Sequence, residues 1–140
     1  MQSSMRIQEA SVQDFEKIKA YISLFELDNR DLDYRQFLVY KKGNNLLGFG
    51  RIRNYSNCDE LCSLGVIEAE RNKGIGKQLV KALIQKATSN LFLVCIIPQY
   101  FEGLNFKVTN QYPKDILEKL NYCTNSLVVE EEYVAMKWSK

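Results

Sequence analysis

The sequence predicts an α+β protein: a mixed sheet, antiparallel in its first half, with one parallel strand pair joined through a helix. Three observations carry this. "FLVYKKGNNLLGFGRIR" has two β-rich runs flanking "KKGNN", whose residues suit a tight turn, and reads as a hairpin. "LCSLGVI", an opening of glycines with a strongly helical run, and "LFLVCII" follow as strand, helix and strand, which implies a parallel pair with a right-handed crossover. No repeat, low-complexity tract or Pro/Gly/Ser-rich linker interrupts the 140 residues, so residues 1–140 are expected to form a single domain.

The elements follow in order. "MRIQEA" alternates as a first strand. Ser11 with Asp14 makes a capping-box-like start, and Val12, Phe15, Ile18 and Ile22 recur at helical spacing, which predicts an amphipathic helix over residues 11–24. "ELDNRDLDYRQ" is polar and reads as loop or a short second helix. After the hairpin, "SNCDELCSLGVI" is a third strand of the meander. In the following helix Leu79, Val80, Leu83, Ile84 and Ala87 share one face, while Lys77, Lys81 and Gln85 lie elsewhere. "LFLVCII" is nearly continuous in apolar residues, as in a strand covered on both faces. "PQYFEGLNFKV" reads as a short helix turning into a strand. Pro113 can begin a helix carrying Ile116, Leu117 and Leu120, and "EEYVAMKW" is a closing amphipathic strand.

Composition narrows the chemistry. Hydrophobic residues make up 46% and charged residues 26%, as in ordinary globular proteins, and the net charge of +2 gives no reason to expect nucleic acid or a membrane surface as partner. The N-terminal stretch lacks a signal-peptide-like apolar run, and no run approaches the roughly 20 apolar residues of a membrane span. Cys58, Cys62, Cys95 and Cys123 form no CxxC pair, and Cys62 and Cys95 sit within apolar runs, so buried thiols in a reducing cytoplasm are expected rather than disulfides or a metal site. There is no histidine, which removes Ser-His and Cys-His pairs and histidine-based zinc sites. Proton transfer must use Glu, Asp, Tyr, Cys or Lys.

The informative stretch is "AERNKGIGKQLVKALIQKA", residues 69–87. A helix's first turn carries unsatisfied N–H groups and partial positive charge, and glycine lets a ligand approach that backbone closely. Arg71, Lys73 and Lys77 add cations, so the junction suits a phosphate or pyrophosphate. It is not a Walker loop: Arg71 stands where the first glycine is needed, and Gln78 where a magnesium-binding hydroxyl is needed. It is not a dinucleotide fingerprint, because Leu79 replaces the third glycine. What remains is R-x-x-G-x-G, residues 71–76.

That run, behind a strand ending Leu64-Gly65-Val66 and ahead of an amphipathic helix, resembles the acyl-CoA-binding signature of the GNAT superfamily of N-acetyltransferases. "YFEGLNF" resembles the family's F-Y-E-x-L-G-F segment, and the order of elements matches over nearly the whole chain, best over residues 37–107. The resemblance implies the acyl-CoA N-acyltransferase fold, its parallel pair splayed around the CoA site, with acetyl-CoA as co-substrate and no metal. It further implies that Arg71, Asn72, Lys73, Gly74, Ile75, Gly76 and Lys77 cradle the CoA pyrophosphate. Leu64, Gly65 and Val66 would pair with the pantetheine amides, the Val66 N–H serving as oxyanion donor.

Acetyl transfer needs a neutral amine, a base to remove its proton, and reprotonation of the leaving thiolate. Glu60 is the candidate base. It lies six residues before Val66, so a period of two places both on one side of the strand, at a spacing that some family members use; the competing reading is a solvated residue beside Asp59. The family's acid, a tyrosine after the fifth strand, aligns with Phe101, so the adjacent Tyr100 is the candidate acid, against simple aromatic packing at the helix start. Cys95, Tyr112 and Tyr122 are weaker candidates, and water can also reprotonate a thiolate. Asn105 stands where the family has glycine, which suggests a turn with φ > 0 that Asn tolerates. The tail inserts a helix before the last strand and is weakly similar to the acetyltransferase domain of N-acetylglutamate synthases. Glu130, Glu131 and Glu132 suggest an amine-attracting patch, against the commoner reading as a solvated face.

The function these features imply is transfer of an acetyl group from acetyl-CoA to a primary amine of a small molecule or amino acid by direct attack. The alternatives are a non-catalytic acyl-CoA-binding regulatory module, motivated by Phe101 and the absence of histidine, and a protein or peptide N-acetyltransferase. A homodimer is open, since family relatives often pair through a terminal strand.

Overall fold

A computed structural model describes residues 5–126 and 131–139. Among these described residues, seven strands and four α-helices follow one another as β1 (Met5–Glu9), α1 (Val12–Phe25), β2 (Phe37–Lys42), β3 (Asn45–Asn54), β4 (Asp59–Val66), α2 (Ile75–Lys86), β5 (Leu91–Cys95), α3 (Pro98–Glu102), β6 (Phe106–Val108), α4 (Lys114–Ser126) and β7 (Val134–Trp138). Short 3-10 turns at Tyr34–Gln36 and Glu68–Glu70 complete the path. The strands hydrogen-bond in the order β1-β2-β3-β4-β5-β7-β6. β1–β2, β2–β3, β5–β7 and β6–β7 pair antiparallel, whereas β4 and β5 pair in parallel through Asp59↔Leu91 and Glu60↔Phe92. The α+β mixed sheet with its parallel pair is the expected one.

The chain divides into two compact units. The first holds the described residues up to Ile52 together with Leu61–Lys86; the second holds Arg53–Glu60 and the described residues from Ala87 on.

In the first unit, α1 begins at the expected capping box: Asp14 N–H donates to Ser11 Oγ and Ser11 N–H donates to Asp14 Oδ2, each at 3.0 Å. Ile18 and Ile22 pack it onto Phe37, Val39 and Phe49. The hairpin closes with Lys42 opposite Asn45, so Gly43 and Asn44 form a two-residue turn, and Gly43 adopts φ +60°. The register shifts between Tyr40 and Lys41, which leaves Leu47 without a direct partner in β2. Its carbonyl instead accepts the Ile67 N–H at 2.9 Å and fixes the chain just past β4.

Two glycines seat α2. A Cβ on Gly48 would lie 3.0 Å from side-chain carbons of Ile75 and Leu79, and one on Gly50 would lie 2.8 Å from Leu83 Cδ1. The helix therefore packs close to the β3 backbone, burying Ile75, Leu79, Val80 and Leu83; Ile84 and Ala87, expected on the same face, are half-buried.

In the second unit, Ile116 of α4 packs with Cys58, Phe92 and Ala135. Pro113 caps α4 rather than entering it: its carbonyl accepts the N–H groups of Ile116 and Leu117. Phe101 of α3 is buried edge-on against Phe106 at 5.9 Å. Asn105 adopts φ +72°, as its position in the turn demands. All four cysteines are buried. Among the described residues, no helix is long and apolar enough to cross a membrane.

Candidate acyl-CoA site

Each of the ten residues expected to hold CoA lies in the first unit, on the path from β4 to α2. The chain leaves Val66, makes the Glu68–Glu70 turn, and passes through Asn72 at φ +66° and Gly74 at φ +84°. Both are left-handed, a conformation that costs an L-residue with a Cβ about 1–2 kcal/mol and a glycine almost nothing. A Cβ at Gly74 would meet nothing within 4 Å, so backbone conformation, not crowding, calls for glycine there. α2 then starts at Ile75, and Gln78 N–H donates to the Gly74 carbonyl at 3.1 Å. Glycine has no side chain with which to cap the helix. The N–H groups of Ile75, Gly76 and Lys77 are thus directed at whatever lies before the helix.

The side chains divide the labour. Ile75 is buried and anchors the helix tip in the core, while Gly76 is half-buried. Asn72, Lys73 and Lys77 are exposed. Lys73 Nζ lies 3.3 Å from Glu70 Oε1, and Lys77 makes no ion pair among the described residues. Arg71 is exposed as well. Its Nε donates to the Val66 carbonyl at 2.9 Å and its guanidinium lies 5.0 Å from the Phe25 ring centroid. Arg71 therefore closes the loop onto the end of β4 and supplies charge from that fixed position.

β4 carries a backbone irregularity. Ser63 has φ +53° within the strand. A left-handed residue interrupts the regular alternation of side-chain direction along a strand. Ser63 is held by a buried polar group: its Oγ accepts from Arg51 Nε at 2.9 Å and donates to the Asp28 carbonyl at 2.8 Å. Arg51, 0% exposed, also donates to Gln36 Oε1 at 2.9 Å. Beyond Ser63, Leu64 and Val66 pack toward Ile75 and Leu79, while Gly65 lies beneath the Phe49 ring, where a Cβ would come within 2.6 Å of Cζ.

The two catalytic candidates lie in the second unit. Neither Glu60 nor Asp59 is solvated: they are 0% and 1% exposed. Asp59 accepts from Asn54 Nδ2 and from the Thr88 and Ser89 amides, a tie between the start of β4 and the chain leaving α2. Glu60 Oε1 accepts from the Tyr55 hydroxyl at 2.8 Å, and Oε2 lies 2.7 Å from Lys119 Nζ. Tyr100 is 42% exposed and meets Phe101 edge-on at 5.0 Å. Burial of part of its ring raises its phenol pKa. Burial also raises the Cys95 thiol, which leaves it a neutral packing group. Glu131 and Glu132 are exposed; Glu130 lies outside the described residues.

Sequence reasoning missed Arg51, Ser63, Tyr55 and Lys119. Lys119 had a signal: it falls on the apolar stripe of α4 with Ile116 and Cys123, where an unpaired cation does not persist. The alternation Gly48-Phe49-Gly50 likewise marks a strand approached closely on one face. Ser63 had none, since serine is unremarkable in a strand.

A family model described as the acetyltransferase (GNAT) family matches residues 4–100. No curated protein matches the sequence. Among solved structures, N-acetylglutamate synthase from Neisseria gonorrhoeae, complexed with coenzyme A and L-arginine, is similar at TM-score 0.76 and 18% identity over 99% of this chain. This chain spans 34% of that protein's length. Rv2747 from Mycobacterium tuberculosis, in a complex that includes CoA, is similar at TM-score 0.78 and 16% identity, covering 96% of this chain and 99% of that one. Arabidopsis thaliana Naa50, complexed with the bisubstrate analogue CoA-Ac-MVNAL, is similar at TM-score 0.71 and 16% identity, covering 98% and 99%. At such identities the likeness is one of fold.

Proposed function

We propose that this chain, which belongs to the acetyltransferase (GNAT) family, transfers an acetyl group from acetyl-CoA to a primary amine of a small molecule or amino acid. The observation that carries the reading is the junction from Val66 to Lys77, where left-handed Asn72 and Gly74 deliver a row of helix amides beside Lys73 and Lys77. Such a row suits a pyrophosphate, each N–H donating to an anionic oxygen in a field that favours negative charge. The backbone of Leu64, Gly65 and Val66 would pair with the pantetheine, and the Val66 N–H would donate to the thioester oxygen as it gains charge.

In the reaction the neutral amine attacks the thioester carbonyl, a C–N bond forms, and the C–S bond breaks. The amine's proton leaves through a base, and the CoA thiolate takes up a proton. Tyr100 is our acid, since a phenol is protonated at neutral pH and can donate; partial burial raises its pKa, which holds the proton more tightly. Glu60 is our base. Its ion pair with Lys119 favours a second reading, in which Glu60 holds α4 in place and water carries the amine's proton away. Glu60→Gln separates these: a base loses kcat with acetyl-CoA affinity intact, whereas a purely structural Glu60 changes stability and leaves kcat unchanged.

We further propose that residues 1–140 work as one catalytic domain in the cytoplasm. The acceptor is tested by following CoA release from acetyl-CoA with a panel of small amines, amino acids and N-terminal peptides. Release with the first two classes alone supports this reading; release with peptides alone would transfer it to a peptide acetyltransferase. CoA binding without release for any amine favours the binding module. No calorimetric heat with CoA, or an affinity unchanged in Gly74→Asp, would overturn the cradle itself.

A further inference from the structure

We propose a second anion site, for a small organic phosphate, on the β6–β7 ribbon of the second unit. Lys107 and Lys137 stand directly opposite one another in the antiparallel register. Like charges so placed repel and destabilise a ribbon. Neither lysine makes an ion pair among the described residues, and the Lys137 ammonium lies 5.9 Å from the Phe92 ring centroid. Both side chains are exposed and free to converge on a guest.

A cavity of about 520 Å³ opens at this spot. Ser89, Asn90, Thr109 and the half-buried Trp138 line it with the two lysines, and no lining residue carries a carboxylate. Asp59, which binds the Ser89 amide, is not among them. The volume exceeds what a bare ion fills and lies in the range of small-molecule pockets, about 300–1,000 Å³. Two ammonium groups match a phosphate dianion, hydroxyl and amide groups can serve the rest of a polar ligand, and the indole offers a flat apolar wall. The site is separate in sequence from the Val66–Lys77 junction and does not rest on the acetyltransferase reading.

Trp138 is the sole tryptophan of the chain, so its emission reports occupancy locally. The full chain is titrated with inorganic phosphate and with phenyl phosphate, against sodium chloride at matched ionic strength. A saturable change is expected with both phosphates, at lower concentration for phenyl phosphate. Lys107→Gln and Lys137→Gln should each weaken binding by about tenfold or more, as loss of a charge-assisted hydrogen bond does. Gly74→Asp should leave the response unchanged, which separates this site from the CoA cradle. An equal response to chloride, or unchanged affinity in the double lysine variant, would overturn the proposal.

Discussion

Lys119→Met tests the buried ion pair of the second unit. The substitution removes an ammonium 2.7 Å from Glu60 Oε2 and leaves a carboxylate of 0% exposure with the Tyr55 hydroxyl as a neutral donor. Opposite charges at that separation attract by about 6 kcal/mol at an effective dielectric constant of about 20. Much of this offsets the dehydration of the two ions. Deleting one partner leaves the other's dehydration uncompensated and costs about 3–5 kcal/mol. Methionine roughly preserves the volume of the lysine stem, so a cavity adds little. With a urea slope of about 2 kcal/mol per molar, the unfolding midpoint should fall by about 1.5–2.5 M. Adding Glu60→Gln removes the stranded charge, so the double variant should be more stable than Lys119→Met alone. A loss below about 1 kcal/mol, or a double variant whose loss equals the sum of the singles, would refute the reasoning.

Three further outcomes are expected. Ser11→Ala removes one half of the capping box and should cost about 1 kcal/mol in thermal or chemical unfolding. Gly65→Ala drives a methyl into the Phe49 ring and should cost about 1–3 kcal/mol, part of it recovered by Phe49→Leu. Burial raises the Asp14 carboxyl, but the Ser11 amide and Lys41 more than reverse this and hold it below its ordinary value. Its contribution is therefore complete above the unfolded value, about 3.9, and is lost as pH falls through the folded one; Asp14→Asn should flatten that part of the acid-unfolding profile.

The elements that could be read from the sequence are those whose cause is local. Ser11 and Asp14 set the start of α1, and Gly43 set the hairpin turn. Apolar spacing set α2, and Asn105 met the turn that its position required. The R-x-x-G-x-G run placed the amide row for the same reason: conformation and helix start are encoded within a few residues. What stayed hidden depends on partners distant in sequence. Arg51 reaches Gln36 and Ser63, and Glu60 reaches Lys119, 59 positions away. The left-handed backbone at Ser63 was equally hidden, because it accompanies a tertiary hydrogen bond to Arg51 and not a local preference for such backbone.

Gly48 and Gly50 bear on how a ligand would arrive. α2 lies so near the strand beneath it that neither glycine could carry a methyl group without displacing Ile75, Leu79 or Leu83, and this packing sets the direction of its leading amides. A guest that met amides already aligned would lose little ordering entropy on docking. Association should then proceed in a single bimolecular phase, free of a slow closing step, and discrimination among thiol nucleotides should appear in how long each stays.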